Sequence, residues 1–243
     1  MRSLICLSLV TLLALGFGCA KKKAERPGIG EPAAEGDVAK FDEGYANFRE
    51  AIRFISLTPD KTKAAEAAGQ GEAAFSEVKR AWPQEPPDAF EGDNDWENRI
   101  SALTKIMADI KSQVEADRLG DAKASIFEAQ KLILALHERN NVNTAGDEAV
   151  RLLVLVKDMD LALNEKRYND MKHIMPNMRE AQKNFFGSAI PPSATGREEK
   201  FDDLKDKIYD GVDDFAEAEV YEGQQAALNG LVRNLTEFYV EFG

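Results

Sequence analysis

The chain has 243 residues, with 43 acidic side chains against 31 basic ones and a net charge of −12. That balance excludes a nucleic-acid binder, which needs a basic footprint to meet phosphate. Its two cysteines are Cys6 and Cys19, so residues 20–243 carry no thiol. That stretch can hold no disulfide framework, zinc–thiolate site, catalytic cysteine or covalently attached haem.

At the start of the chain Arg2 precedes an apolar run from Leu4 to Phe17, too short to span a bilayer. The run ends in Gly18-Cys19, followed by Ala20 and the lysines Lys21 to Lys23. A cationic head, a short apolar stretch and a small residue at the cut read as an export signal. Gly18-Cys19 resembles the lipobox of bacterial lipoproteins, with Gly16 where that motif usually has leucine. The resemblance implies a signal peptide over residues 1–18, lipidation of Cys19, and a place in the cell envelope at the periplasmic face of the outer membrane. Several acyl chains on one cysteine hold a protein at a membrane without a spanning helix. Residues 19–36, rich in Pro, Gly, Ala and charge, read as a flexible lipidated tether with a reach of roughly 20–25 Å.

From Asp37 onward apolar residues recur at spacings of three and four, with no strand-like alternation, which predicts an all-α body. The first helix carries Phe41, Tyr45, Phe48, Ile52 and Ile55, and Thr58-Pro59 is expected to cap and start the second. The second carries Ala68, Gly71, Phe75, Val78 and Trp82 and ends at Pro83; the third carries Trp96, Ile100, Leu103, Met107, Ile110 and Val114. Gly120 is expected to close the third helix and Asp121 to cap the fourth, which carries Ala122, Ile126, Ala129, Ile133 and Leu136. Four more follow: Ala149 to Leu163, Met171 to Phe185, Phe201 to Phe215 and Leu228 to Phe242. Landmarks repeat in the same order, Trp82 with Phe185, Pro86-Pro87 with Pro191-Pro192, Trp96 with Phe201 and Leu136 with Phe238, at a period of about 104 residues. The expectation is two tandem antiparallel four-helix bundles, residues 37–140 and 141–243, related by internal duplication.

Residues 37–140 resemble the soluble b-type cytochrome family of four-helix bundles in helix lengths, in the proline-containing loop between helices two and three, and in a histidine late in helix four. That histidine is His137, in Leu134-Ala135-Leu136-His137-Glu138-Arg139. The resemblance implies non-covalent haem b held between such a histidine and a methionine early in helix one. No methionine occurs from Asp37 to Ile55, Tyr45 stands in that region, and Tyr239 takes the histidine's place in the second unit. A possible ligand or haem region therefore gathers His137, Tyr45, Trp82 and Trp96, against the plainer reading of a well-packed bundle end.

Met171, His173, Met175 and Met178 offer thioether and imidazole groups that suit copper, although methionine more commonly fills a core. The seventh helix is acidic, from Asp202 to Glu219, which reads as a solvated face; a docking surface for a basic partner and a weak divalent-cation site without the spacing of a calcium loop are the alternatives. No convergent set for hydrolysis or group transfer is present. The expectation is a membrane-tethered, non-enzymatic binding or scaffold module without a cofactor, partnered by an envelope protein or a small molecule; the alternative is a haem- or copper-binding electron carrier. The short linker after Asn140 should bring the two aromatic ends together, with His137 and Tyr45 nearest any small molecule bound between them.

Overall fold

In the computed structural model the described residues are 39–82, 86 and 90–243. The expected signal segment, Cys19 and the tether lie outside them. Among the described residues there are eight α-helices and no strand. They are α1 (Ala39–Ile52), α2 (Lys61–Ala81), α3 (Trp96–Glu115), α4 (Leu119–Arg139), α5 (Ala145–Asn164), α6 (Tyr168–Phe186), α7 (Glu198–Glu217) and α8 (Tyr221–Phe242). A π-helical turn, Arg53–Leu57, continues α1, and a 3-10 turn, Pro192–Ala194, precedes α7. No described helix is long and apolar enough to cross a membrane.

The apolar stripes build two cores. Phe41, Phe48, Ile52, Phe75, Val78, Trp96, Ile100, Met107, Ile126 and Leu136 share the first, and Leu152, Val156, Met178, Phe185, Phe201, Ile208, Leu231 and Phe238 the second. Side chains of this size each contribute about 1.5–3 kcal/mol when fully buried. Neighbouring helices run antiparallel. Phe41 meets Phe75 while Gly71 of α2 lies against Asn47, and Phe201 meets Phe242 while Gly211 lies against Leu231. Short turns between helices impose that arrangement.

Three of those turns close alike, and not where glycine suggested. Asp117, Asn141 and Lys166 take positive φ (59°, 55° and 56°), and the next residue's N–H donates five residues back: Arg118 to Gln113, Val142 to His137 and Arg167 to Ala162. This is the Schellman closure, which satisfies the last carbonyls of a helix. Asp117 therefore ends α3, and Gly120 lies inside the first turn of α4 with Asp121 beside it rather than capping. Asp and Asn tolerate the left-handed region better than most residues because their short side chains bond locally. Nor do Thr58 and Pro59 start α2. The N–H of Thr58 donates to Arg53 O to end the π-helical turn, and Asp60 caps α2 by accepting from the Lys63 N–H at 3.1 Å. Trp82, expected in the core, falls one residue beyond α2 and is only partly buried.

Candidate functional site

The two sets of helices meet at a joint built from the end of α4, the linker Asn140–Thr144, the start of α5, the side of α1 and the end of α8. Thr144 and Asp147 form a capping box that starts α5: the Asp147 N–H donates to Thr144 Oγ1 at 3.1 Å, and the Thr144 N–H donates back to Asp147 Oδ2 at 2.8 Å. The box fixes the Asp147 carboxylate and leaves Oδ1 to face α4, where His137 Nδ1 meets it at 2.8 Å. Both side chains are 5% exposed. All six residues from Ala145 to Val150 are buried, so the first turn of α5 lies inside the molecule.

On the other side of the joint, Tyr239 of α8 crosses to the first core, edge-on to Tyr45 at 6.2 Å and to Phe48 at 6.4 Å. Val240 and Val150 join the same cluster. The Tyr239 hydroxyl is buried without a well-aligned partner, and the phenol opposite is that of Tyr45. Burial pushes the Tyr45 phenol up to about 12, and burial, then the neighbouring Tyr45 and Asp147, raises Tyr239 well above the usual range. Arg49 lies over the Tyr45 ring at 5.2 Å and donates to Gly243 O. A Cβ on Gly146 would stand 2.6 Å from Gly243 Cα, so this close approach of α5 and α8 requires glycine.

A charged rim surrounds these buried groups. Glu241 accepts from Arg53 at 3.0 Å and Arg197 at 2.8 Å, and Lys200 lies 3.2 Å away. Burial alone would raise its pKa; the hydrogen bonds from Arg53 and Lys200 outweigh that and hold it below the usual carboxylate value. Arg151 ties α5 to the end of α4, donating to Glu148 and Asn143 at 2.7 Å and to Glu138 at 3.2 Å. Asn140, at the hinge itself, donates to Leu136 O at 2.8 Å and accepts from the Gly92 N–H at 3.1 Å.

The sequence-derived candidates divide among three places. Tyr45 and His137 lie at the joint, on either side of Asp147 and Tyr239. Trp82 and Trp96 belong to a separate cluster: Trp96 Nε1 donates to Trp82 O at 3.1 Å, and its ring stacks on Phe90 and lies against Phe41. These residues do not fit the sulfur–imidazole ligation of the cytochrome family. A phenol turned to Tyr239 stands in place of sulfur, and His137 is tied to a carboxylate. The methionine-rich stretch does not converge either. Met178 is buried, Met171 and Met175 pack partly buried against the second core, and His173 is exposed. Pro176 lies within α6, which continues through it. Among the described residues, no group of three or more His, Cys, Asp or Glu is placed to hold a metal ion.

Of the aromatic side chains expected to come together, Tyr45 and Tyr239 meet at the joint, whereas Phe185, Phe201 and Phe238 stay in the second core and Trp82 and Trp96 in their own cluster. An open groove of about 430 Å³ lies elsewhere, between α2 and α3, lined by Ala65, Gly69, Ala73, Lys111 and Glu115. Asp147 and Glu241 were not singled out from the sequence. The Thr144-x-x-Asp147 spacing was a signal for the first; Glu241 gathers cations from distant elements, and nothing local to it marks that role. No protein-family model, curated protein or solved structure matches the chain.

Proposed function

We propose that the chain is a lipid-anchored lipoprotein of the cell envelope, held at the periplasmic face of the outer membrane through Cys19, and that it works as a non-enzymatic binding or scaffold module. On this reading residues 1–18 are its signal peptide, residues 19–36 its tether, and residues 37–140 and 141–243 two antiparallel four-helix bundles in tandem. The observation that carries the scaffold part of this reading is the joint. His137–Asp147, Tyr45–Tyr239 and Arg53–Glu241 each bind one set of helices to the other, and together they set the orientation of the second set on the first. A scaffold needs that fixed relation, and the buried groups are spent on making it.

Duplication is supported by the register of the stripes. Phe41, Tyr45, Phe48, Ile52 and Ile55 of the first helix and its π turn return as Ala145, Ala149, Leu152, Val156 and Met159 in α5. His137 and Tyr239, which correspond in the two units, each cross to the first helix of the other unit, one to Asp147 and one to Tyr45.

Radiolabelled palmitate and membrane fractionation test the anchor. The chain should incorporate label and sediment with membranes, and Cys19→Ser should lose both. A Cys19→Ser chain that keeps its label would sink the assignment. Absorption and metal analysis of the purified chain test the rest. A Soret band or stoichiometric copper would overturn the cofactor-free module in favour of an electron carrier.

A further inference from the structure

The end of the second set away from the joint is made by two turns, α5 to α6 and α7 to α8. Tyr221 Oη donates to Asn164 Oδ1 at 2.7 Å and Gln225 Nε2 to Asp160 Oδ1 at 2.8 Å, which draws the turns together. Of the six large apolar side chains exposed among the described residues, four belong to this end: Leu161 (49% exposed), Tyr168 (60%), Val220 (60%) and Tyr221 (46%). Scattered apolar residues on a surface need no explanation, but a concentration of them at one end marks an interaction site.

The charge around them has one prevailing sign. Asp210, Asp214 and Glu217 lie exposed on the last turns of α7, and Glu219 and Glu222 carry the run through the turn into α8; Asp202 and Asp206 extend the acidic face back along α7 toward the joint. The cations at this end are Arg167, held by Glu165 and Asp170, and the exposed Lys166; farther along, Arg179 is held by Asp213 and Lys207 by Asp203. Like charges at this spacing repel, a cost that an opposing charge would remove. A second copy of the chain would bring the same acids to the contact, and an anionic membrane surface would be repelled. A cationic polypeptide would not. Tyrosine rings also accept Lys and Arg over their faces and are common anchors of protein interfaces.

We propose that this end is a docking surface for a cationic polypeptide segment bearing apolar side chains, with Leu161, Tyr168, Val220 and Tyr221 making the contact and the acidic face of α7 drawing the partner in. This rests on reading the chain as a binding module and names the class of its partner. Complementary charge acts mainly on the rate of encounter and is screened by salt, whereas the apolar contact sets the lifetime of the complex.

The test is fluorescence anisotropy of the purified chain with a labelled amphipathic peptide of lysine and leucine, about 18 residues or roughly 27 Å of helix long. A counterpart with glutamate for lysine is the control. The lysine peptide should bind, and raising salt from about 50 to about 300 mM should weaken it. The exposed pair Tyr168→Ser/Val220→Ser should lower affinity about tenfold, or about 1.4 kcal/mol. Asp210→Asn/Asp214→Asn/Glu217→Gln should flatten the salt dependence. Helical circular dichroism matching that of the unaltered chain verifies that each variant is folded. No binding of the lysine peptide, equal binding of the glutamate peptide, or unchanged affinity in the Tyr168/Val220 variant would each overturn the surface. Those results leave palmitate labelling and the absorption spectrum untouched, so the module reading fails on separate evidence.

Discussion

The His137–Asp147 pair is the contact whose removal bears most directly on the joint. Asp147 Oδ2 keeps both Thr144 contacts, 2.8 Å to N and 2.9 Å to Oγ1, when the imidazole is lost, so the carboxylate is not left wholly orphaned. His137→Ala therefore removes one hydrogen bond to a charged group, worth about 1.5–3 kcal/mol, and leaves a small void at a site 5% exposed. About 3 kcal/mol is expected. Asp147→Ala loses the same bond and the capping box, itself worth about 0.5–2 kcal/mol, for a similar total. Because the bond is shared, the double variant should cost about 4 kcal/mol, a coupling of about 2 kcal/mol. The assay is urea unfolding followed by two probes at once. Both tryptophans, Trp82 and Trp96, belong to the first set of helices, so their fluorescence reports that set while circular dichroism reports both. Loss of the pair should separate transitions that coincide in the unaltered chain. Coupling below about 0.5 kcal/mol, with coincident transitions in every variant, would refute the claim that this pair binds one set to the other.

Other perturbations probe the remaining parts of the joint. Gly146→Ala should destabilise the chain by about 1–3 kcal/mol in thermal unfolding, because its Cβ meets backbone at 2.6 Å with no flexible side chain to move aside. Tyr239→Phe keeps the ring contacts and deletes a buried hydroxyl without a well-aligned partner, so stability should hold or rise by up to about 1 kcal/mol. Glu241 has a folded pKa below its unfolded one, so it stabilises the chain above the ordinary carboxylate value and that stability is lost as pH falls through the lowered value. Glu241→Gln should accordingly flatten the acid limb of a stability–pH curve measured by chemical unfolding and leave its alkaline limb unchanged.

The helices were legible in the sequence because each buries one stripe, and the stripe is a local pattern. Phe75, Ile100, Met107, Ile133, Leu152, Ile208 and Leu235 are all where spacing alone puts them in the core. Helix ends were less legible, because closure depends on which residue accepts positive φ: Asp117 did so three residues ahead of the glycine that seemed to mark the stop. Trp82 misled for a related reason. A large ring in register with a stripe reads as core, but one residue past the helix end it turns its carbonyl to Trp96 and stays partly exposed. The candidate site was half visible. His137 and Tyr45 stood out as chemistry-bearing side chains at the edge of a stripe, but their partners Asp147 and Tyr239 belong to the other unit.

The size of the joint follows from its covalent connection. If the two units are duplicates, the end of each last helix meeting the first helix of the other is the pattern of a two-fold dimer interface, in which the same patch serves both partners. The halves are chemically unequal, however: His137 meets a carboxylate, and Tyr239 meets a phenol. Two separate chains would need a large apolar contact to stay together at cellular concentrations. A linker as short as Asn140–Thr144 instead holds the units at an effective concentration on the order of millimolar. At that concentration a joint worth only about 4 kcal/mol is already half closed, and each further 1.4 kcal/mol closes it tenfold more. A few buried polar groups with Tyr239, Val150 and Val240 therefore suffice where a free dimer would require a larger apolar core. The same arithmetic explains why a coupling of about 2 kcal/mol between His137 and Asp147 weighs heavily: by itself it changes the closure of a tethered joint by more than tenfold.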